Sequence, residues 1–190
     1  MSARKIVKKE LTRDMIMNAA SEMFVEKGYQ HVSMRQIAKE LNYSHGAIYY
    51  HFKNKAELFY ALVENHFLLL DKKIDEIVSE ETNDLDKLRK ILLGYIEFGL
   101  THQSHYEIMF LIKDEEVRNF INQSPNKTYA KFANNLAMLS HKQLSLNEIW
   151  SIFLSLHGFV THYLRHVVHF SDVKGMAEVH VDLLLNSTKK

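Results

Sequence analysis

The chain has 190 residues, with 24 Lys or Arg against 23 Asp or Glu, one Pro, six Gly and no Cys. That composition fits one well-packed domain or two small ones, and it excludes a disulfide scaffold, a collagen-like repeat and extended disorder. There is no thiolate for a zinc finger or a Cys nucleophile, and the longest apolar run, Leu58 to Val63, falls far short of the ~18 residues of a membrane span. No apolar core follows the basic start at Arg4 to Lys9, so a cytoplasmic protein without a membrane partner is expected.

The near-neutral total hides an uneven distribution. Residues 1–55 hold ten Lys or Arg against five Asp or Glu, a charge of +5, whereas residues 56–190 hold fourteen against eighteen, a charge of −4. A basic head, 1–55, therefore precedes an acidic body, 56–190, and the head is suited to a polyanion.

Helical periodicity prevails along the chain. In Thr12 to Lys27 the apolar residues Met15, Ile16, Ala19, Ala20, Met23 and Phe24 recur at intervals of three and four, and Gly28 ends the segment. Ser33 and Gln36 stand at capping-box spacing and open a helix to about Leu41; Ser44 opens another that ends near Phe52. Asn54 and Glu57 form a further cap-like pair before a long amphipathic segment to about Val78, which joins head to body without a linker. Asp84 to Leu100 follows, then the apolar stretches Tyr106 to Ile112 and Val117 to Ile121. Pro125 suits the first turn of a helix through Leu139. Ser145 and Glu148 open the longest apolar helix, expected to reach Val168, and a last amphipathic segment spans about Val173 to Leu185. The fold class expected is all-α.

Two short helices joined by Asn42-Tyr43 have the plan of a helix-turn-helix, in which the second helix meets base edges and the first braces it. Ile37 and Ala38 supply contacts between them, leaving Arg35, Gln36, Ser44, His45, Gly46, Tyr49, Tyr50 and His51 to point outward. Their hydroxyl, phenol and imidazole groups suit phosphate oxygens, and Lys55 adds a full charge.

Residues 12–62 resemble the DNA-binding domain of the TetR family of bacterial transcriptional regulators. The likeness rests on Thr12, on Phe24 and Gly28 closing the first helix, on Ser33 with Ile37-Ala38, and on Tyr49-Tyr50-His51-Phe52-Lys53-Asn54-Lys55. It implies that Ser33, Arg35, Tyr49, Tyr50, His51 and Lys55 hold phosphates and that Gln36, His45, Gly46 and Ala47 lie nearest the bases. His45 stands where the family often has Lys or a small polar residue. The resemblance also implies a three-helix head joined to a helical ligand-binding body whose last two helices pair with a second subunit. The function expected is a homodimeric, ligand-responsive regulator, a repressor, on pseudopalindromic operator DNA.

In the body, the helix from Ser145 carries Ser151, Ser155, Gly158, Phe159, His162, His166 and His169 opposite its apolar face, a stripe expected at the dimer interface. Tyr95, Phe98, His102, Tyr106, Met109, Phe110, Phe132, Trp150, Phe153 and His157 combine apolar walls with a few polar tips and are the expected lining of a cavity for a small hydrophobic or amphipathic effector. The spacing of His162, His166 and His169 allows an alternative, a sensor of metal, haem or pH, although three residues of one helix rarely complete a site. No metal or other cofactor is assigned. An enzyme is not expected: Gly-rich phosphate loops and HExxH are absent, and Glu115-Glu116 reads as a solvated acidic turn.

Overall fold

The computed structural model describes residues 10–112, 124–140 and 144–187. The expectations for Arg4 to Lys9, Glu115-Glu116 and Val117 to Ile121 lie outside the described residues. Every regular element among those described is helical. They are α1 (Arg13–Lys27), α2 (Met34–Glu40), α3 (His45–His51), α4 (Lys55–Val78), α5 (Asp84–Thr101), α6 (Gln103–Tyr106) running into a π-turn (Glu107–Leu111), α7 (Ser124–Leu139), α8 (Leu146–Tyr163) and α9 (Lys174–Ser187), with short 3-10 helices at Tyr29–His31 and Phe170–Asp172.

The chain divides into two compact units, 1–62 and 63–190, with the division inside α4. The break at 55/56 suggested by charge falls earlier because the first turns of α4 belong to the core of the head. Leu58, Phe59 and Leu62 are buried there, and the Phe59 ring packs on Phe24 and Tyr29 with centroids 5.6 and 4.9 Å apart.

Local chemistry explains the start and stop of each helix of the head. Thr12 Oγ1 accepts from Met15 N and caps α1, and Gly28 ends it with φ +84°, a conformation that glycine adopts without a Cβ clash. Ser33 and Gln36 close the expected capping box of α2. Ser44 caps α3 through Ala47 N. Between α2 and α3, Asn42 takes φ +58°, which Asn tolerates better than most residues, and Tyr43 N donates to Ala38 O at 3.0 Å. Ile16, Phe24, Ile37, Ile48 and Phe52 fill the core beneath.

In the second unit α5 is central and packs against α6, α7, α8 and α9. Its buried residues include Leu88, Ile91, Leu92, Tyr95, Ile96 and Phe98. Pro125 falls in the first turn of α7 as expected. Ser145 and Glu148 form the capping box of α8. That helix stops at Tyr163, earlier than the expected Val168, because the chain turns at Leu164 and Arg165, the latter at φ +62°. No helix among the described residues is long and apolar enough to cross a membrane.

Candidate nucleic-acid interface and ligand cavity

On the surface of the head, α2 and α3 present the residues singled out from the sequence, but several polar tips are already engaged. Gln36 Oε1 accepts from Ser33 N at 2.7 Å and from Ser33 Oγ at 2.9 Å, so its carbonyl oxygen is held by the cap. Ser44 Oγ accepts from Ala47 N at 3.3 Å. Arg35, His45, Gly46, Tyr49 and Tyr50 are exposed, Ala47 is half-buried, and Tyr50 reaches 88% exposure. His45 and Tyr49 meet edge to face with ring centroids 4.5 Å apart.

His51 is half-buried, and its carbonyl accepts from Arg13 Nη1 at 2.5 Å while the guanidinium lies 4.0 Å from the Phe52 ring centroid. Arg13 was not singled out from the sequence, since nothing in its spacing distinguishes it from a solvated cation. Lys55 is not the free outward cation expected: its Nζ donates to Tyr29 O at 2.9 Å and sits 4.0 Å over the Tyr29 ring. The helix start beyond it is built as expected, with Asn54 Oδ1 accepting from Glu57 N and Glu57 Oε2 accepting from Lys53 N.

The second unit contains a cavity of about 260 Å³ lined by Phe67, Leu70, Ile74, Tyr95, Phe110, Thr128, Tyr129, Phe132, Trp150 and Phe153. Tyr95, Phe110, Phe132, Trp150 and Phe153 were expected. Phe153 is the hub of this wall, with its ring near those of Tyr95, Phe110, Tyr129, Phe132 and Trp150.

The other expected lining residues lie elsewhere. Phe98, further along α5, and His102, just past its end, face a surface groove with Leu69, Lys73, Glu97 and Thr101. Met109 is buried away from the lining, because the π-turn directs its neighbour Phe110 to the cavity. Tyr106 and His157 stand behind the wall, joined to it by hydrogen bonds. The Tyr95 and Tyr106 hydroxyls are 2.9 Å apart, and Tyr106 Oη is 2.5 Å from His157 Nδ1. Burial raises the pKa of both tyrosines and lowers that of His157. The lining is completed by Phe67, Leu70 and Ile74 on α4, whose i, i+3, i+7 spacing is the signal for them in the sequence, and by Thr128 and Tyr129 on α7.

A second feature is a stack of three imidazoles. His66 on α4, 3% exposed, lies parallel to His105 with centroids 3.8 Å apart, and His105 stacks on His102 at 5.2 Å. Nδ1 of His66 and of His105 has no hydrogen-bond partner. Burial first, then the neighbouring imidazoles, lowers the His66 pKa to about 3.

The row His162, His166 and His169 does not share one helical face, since α8 ends at Tyr163; His166 Nδ1 instead lies 2.9 Å from His162 O. Among the described residues no group of three His, Asp or Glu side chains could hold a metal ion. Along α8 and α9, Leu146, Trp150, Leu154, Met176, Val179 and Leu183 are exposed. Phe159, His162, Tyr163, Met176, Val179, His180 and Leu183 line a shallow groove between the two helices, and Gly158 has open space beside it.

Comparisons with known proteins bear on the head and on the fold. Residues 16–62 match the profile of the bacterial regulatory proteins of the tetR family. This part of the chain belongs to the TetR family. It is 26% identical over 175 residues to the Transposon Tn10 TetC protein of Escherichia coli, covering 88% of this chain and 84% of that one. It is 30% identical over 99 residues to the transcriptional activator FasR of Mycolicibacterium smegmatis, covering 52% of this chain and 45% of that one, so it spans less than half the length of that relative. The fold is similar to that of the transcriptional regulator FadR from Bacillus subtilis in complex with stearoyl-CoA, with a TM-score of 0.78, 20% identity, and coverage of 92% of this chain and 98% of that one. A TetR-family chain of this kind is a regulator of transcription rather than an enzyme.

Proposed function

We propose that this TetR-family protein is a cytoplasmic, homodimeric repressor that binds pseudopalindromic operator DNA through α2 and α3 and is released when a small hydrophobic or amphipathic effector fills the body cavity. The observation that carries this reading is the cavity of about 260 Å³, walled by Phe67, Tyr95, Phe110, Tyr129, Phe132, Trp150 and Phe153 in the same chain as a helix-turn-helix. A void lined by aromatic rings forfeits packing contacts unless something occupies it. FadR of Bacillus subtilis, with the same fold, is described in complex with stearoyl-CoA, and FasR, a relative, is named an activator.

The exposed apolar side chains of α8 and α9 support the homodimer, because a second copy of the same face would cover them in a four-helix bundle. Two heads on one two-fold axis reach half-sites ~34 to 36 Å apart. An effector acts through its difference in affinity between bound and released states, and ~1.4 kcal/mol of difference changes operator affinity tenfold.

The test begins with native mass spectrometry of the purified full chain, followed by footprinting on DNA that the protein retains from a random pool. A dimer protecting two half-sites, and released by a compound that also changes the emission of Trp150, is the expected result; Trp150 is the single tryptophan of the sequence. A monomer protecting one half-site, or release by compounds that leave Trp150 emission unchanged, overturns the reading.

A further inference from the structure

The buried residue of α3 is Ile48. On a helix of 3.6 residues per turn the face opposite Ile48 carries Gly46 and Tyr50, one turn apart. Tyr50 is the most exposed large apolar side chain of the described residues, and a Cβ built on Gly46 meets nothing within 4 Å. Tyr50 and His51 meet edge to face at 5.3 Å, as His45 and Tyr49 do at 4.5 Å. The strip that α3 offers is thus a phenol ring beside an empty glycine position, flanked by T-shaped ring pairs.

Side chains that read bases by paired hydrogen bonds are Arg, Lys, Asn and Gln, and Asp and Glu accept from cytosine N4. The α3 sequence, HGAIYYH, contains none of them. On α2, the Gln36 carbonyl oxygen is held by Ser33. On the face opposite Ile48, α3 offers the ring of Tyr50 beside the open position at Gly46, and in the major groove the apolar landmark that a ring can meet is the C5-methyl group of thymine.

We propose that the head selects DNA through thymine C5-methyl groups packed against the Tyr50 ring, with Gly46 giving the base pair room to approach that ring. The inference rests on the DNA-binding reading above and names the feature of the DNA that is read. Tyr50 is then a specificity residue, separate from the phosphate contacts that hold the head on any duplex.

The experiment uses the full chain and DNA retained from a random pool. Each thymine of a half-site is replaced in turn by deoxyuridine, which removes the methyl and keeps the base pair. Binding at the thymine that meets Tyr50 weakens about fourfold, the scale of one buried methyl group. Tyr50→Ala loses the same amount and responds no further to deoxyuridine, whereas Tyr50→Phe keeps the full response. Gly46→Ala, whose methyl has open space in the free protein, retains the helical circular dichroism and loses the preference for thymine. Equal binding to thymine and deoxyuridine at every position overturns the proposal while leaving the DNA-binding reading intact. A pool from which no DNA is retained overturns both.

Discussion

Arg165 grips Glu107 with two arms of its guanidinium: Nε donates to Oε1 at 2.5 Å and Nη2 to Oε2 at 2.8 Å. The backbone of Arg165 sits at φ +62°, and its N–H donates to Gln103 Oε1 at 2.8 Å. Gln103 Nε2 donates in turn to Val167 O at 2.9 Å. This network fixes the turn after α8 against α6. Glu107 is buried and Arg165 is partly exposed, so the pair is screened on one side only.

Arg165→Ala strips a buried carboxylate of its partner and keeps the left-handed backbone, so a loss of about 1–2 kcal/mol is expected. Arg165→Gly loses the same pair but adopts the positive φ freely, and is less destabilised than the alanine variant by about 0.5–1 kcal/mol. Urea denaturation of both variants decides it. Equal midpoints mean that the backbone at 165 stores no strain.

Gly99 is a second point of close contact. A Cβ there would lie 2.6 Å from Val160 Cγ1 and 2.9 Å from Tyr106 Cδ2. Gly99→Ala gains helix propensity of about 1 kcal/mol, yet overpacking of about 1–3 kcal/mol opposes it, and the net expected is destabilisation. Adding Val160→Ala removes the nearest atom, so the two changes together cost less than the sum of the single ones. Additive costs in a denaturation cycle would show that the helices had moved apart to admit the methyl.

Acid stability follows from His66. Its folded pKa is held down to about 3, against an ordinary value of 6.5. Above pH 6.5 neither state takes the proton; below it the unfolded chain does and the folded chain does not. Stability from this residue is therefore complete above about pH 6.5 and is lost toward pH 3, at about 1 kcal/mol per pH unit. His102, His105 and His157 are shifted down as well and act in the same direction. His66→Leu is expected to lose about 1 kcal/mol less than the parent between pH 7.5 and 5.5. The same loss in both proteins would mean that the imidazole gains a proton without unfolding.

Lys55 and Arg35 are expected to separate in their response to salt. The Lys55 ammonium is bonded to Tyr29 O, whereas the Arg35 side chain is exposed. Arg35→Ala reduces the slope of log affinity against log salt by about one unit per subunit. Lys55→Ala leaves the slope nearly unchanged and lowers the melting temperature. Titrations of the DNA complex at several salt concentrations distinguish the two, and a slope change confined to Lys55→Ala reverses the assignment.

Most of the helices were legible because their ends are local. Thr12, Ser33, Ser44, Asn83 and Ser145 cap through bonds to residues three positions on, and such spacings can be read from the sequence. The C-terminus of α8 was not legible, since it depends on a positive φ at Arg165 and on contacts with residues some sixty positions away. The cavity was half legible for the same reason. Aromatic residues on α5 and α8 announce an apolar interior, but which of them face a void depends on the rotation imposed by the π-turn at Glu107–Leu111 and on α4 supplying Phe67, Leu70 and Ile74. The engagement of Lys55 was hidden, because a solvated lysine and one bonded to a distant carbonyl have the same letter.

The hydroxyls of Tyr95 and Tyr106 and the ring of His157 form a chain with a direction. When Nδ1 of His157 accepts, the Tyr106 proton points to it and the Tyr95 proton points to Tyr106. A proton added to Nδ1 turns both bonds round, since His157 then donates to Tyr106 and Tyr106 to Tyr95. The Tyr95 hydroxyl, whose ring belongs to the cavity wall, is left with a hydrogen to give where before it had only a lone pair. A single ionisation on α8 thus inverts the electrical sign of a polar group on α5 without moving a heavy atom.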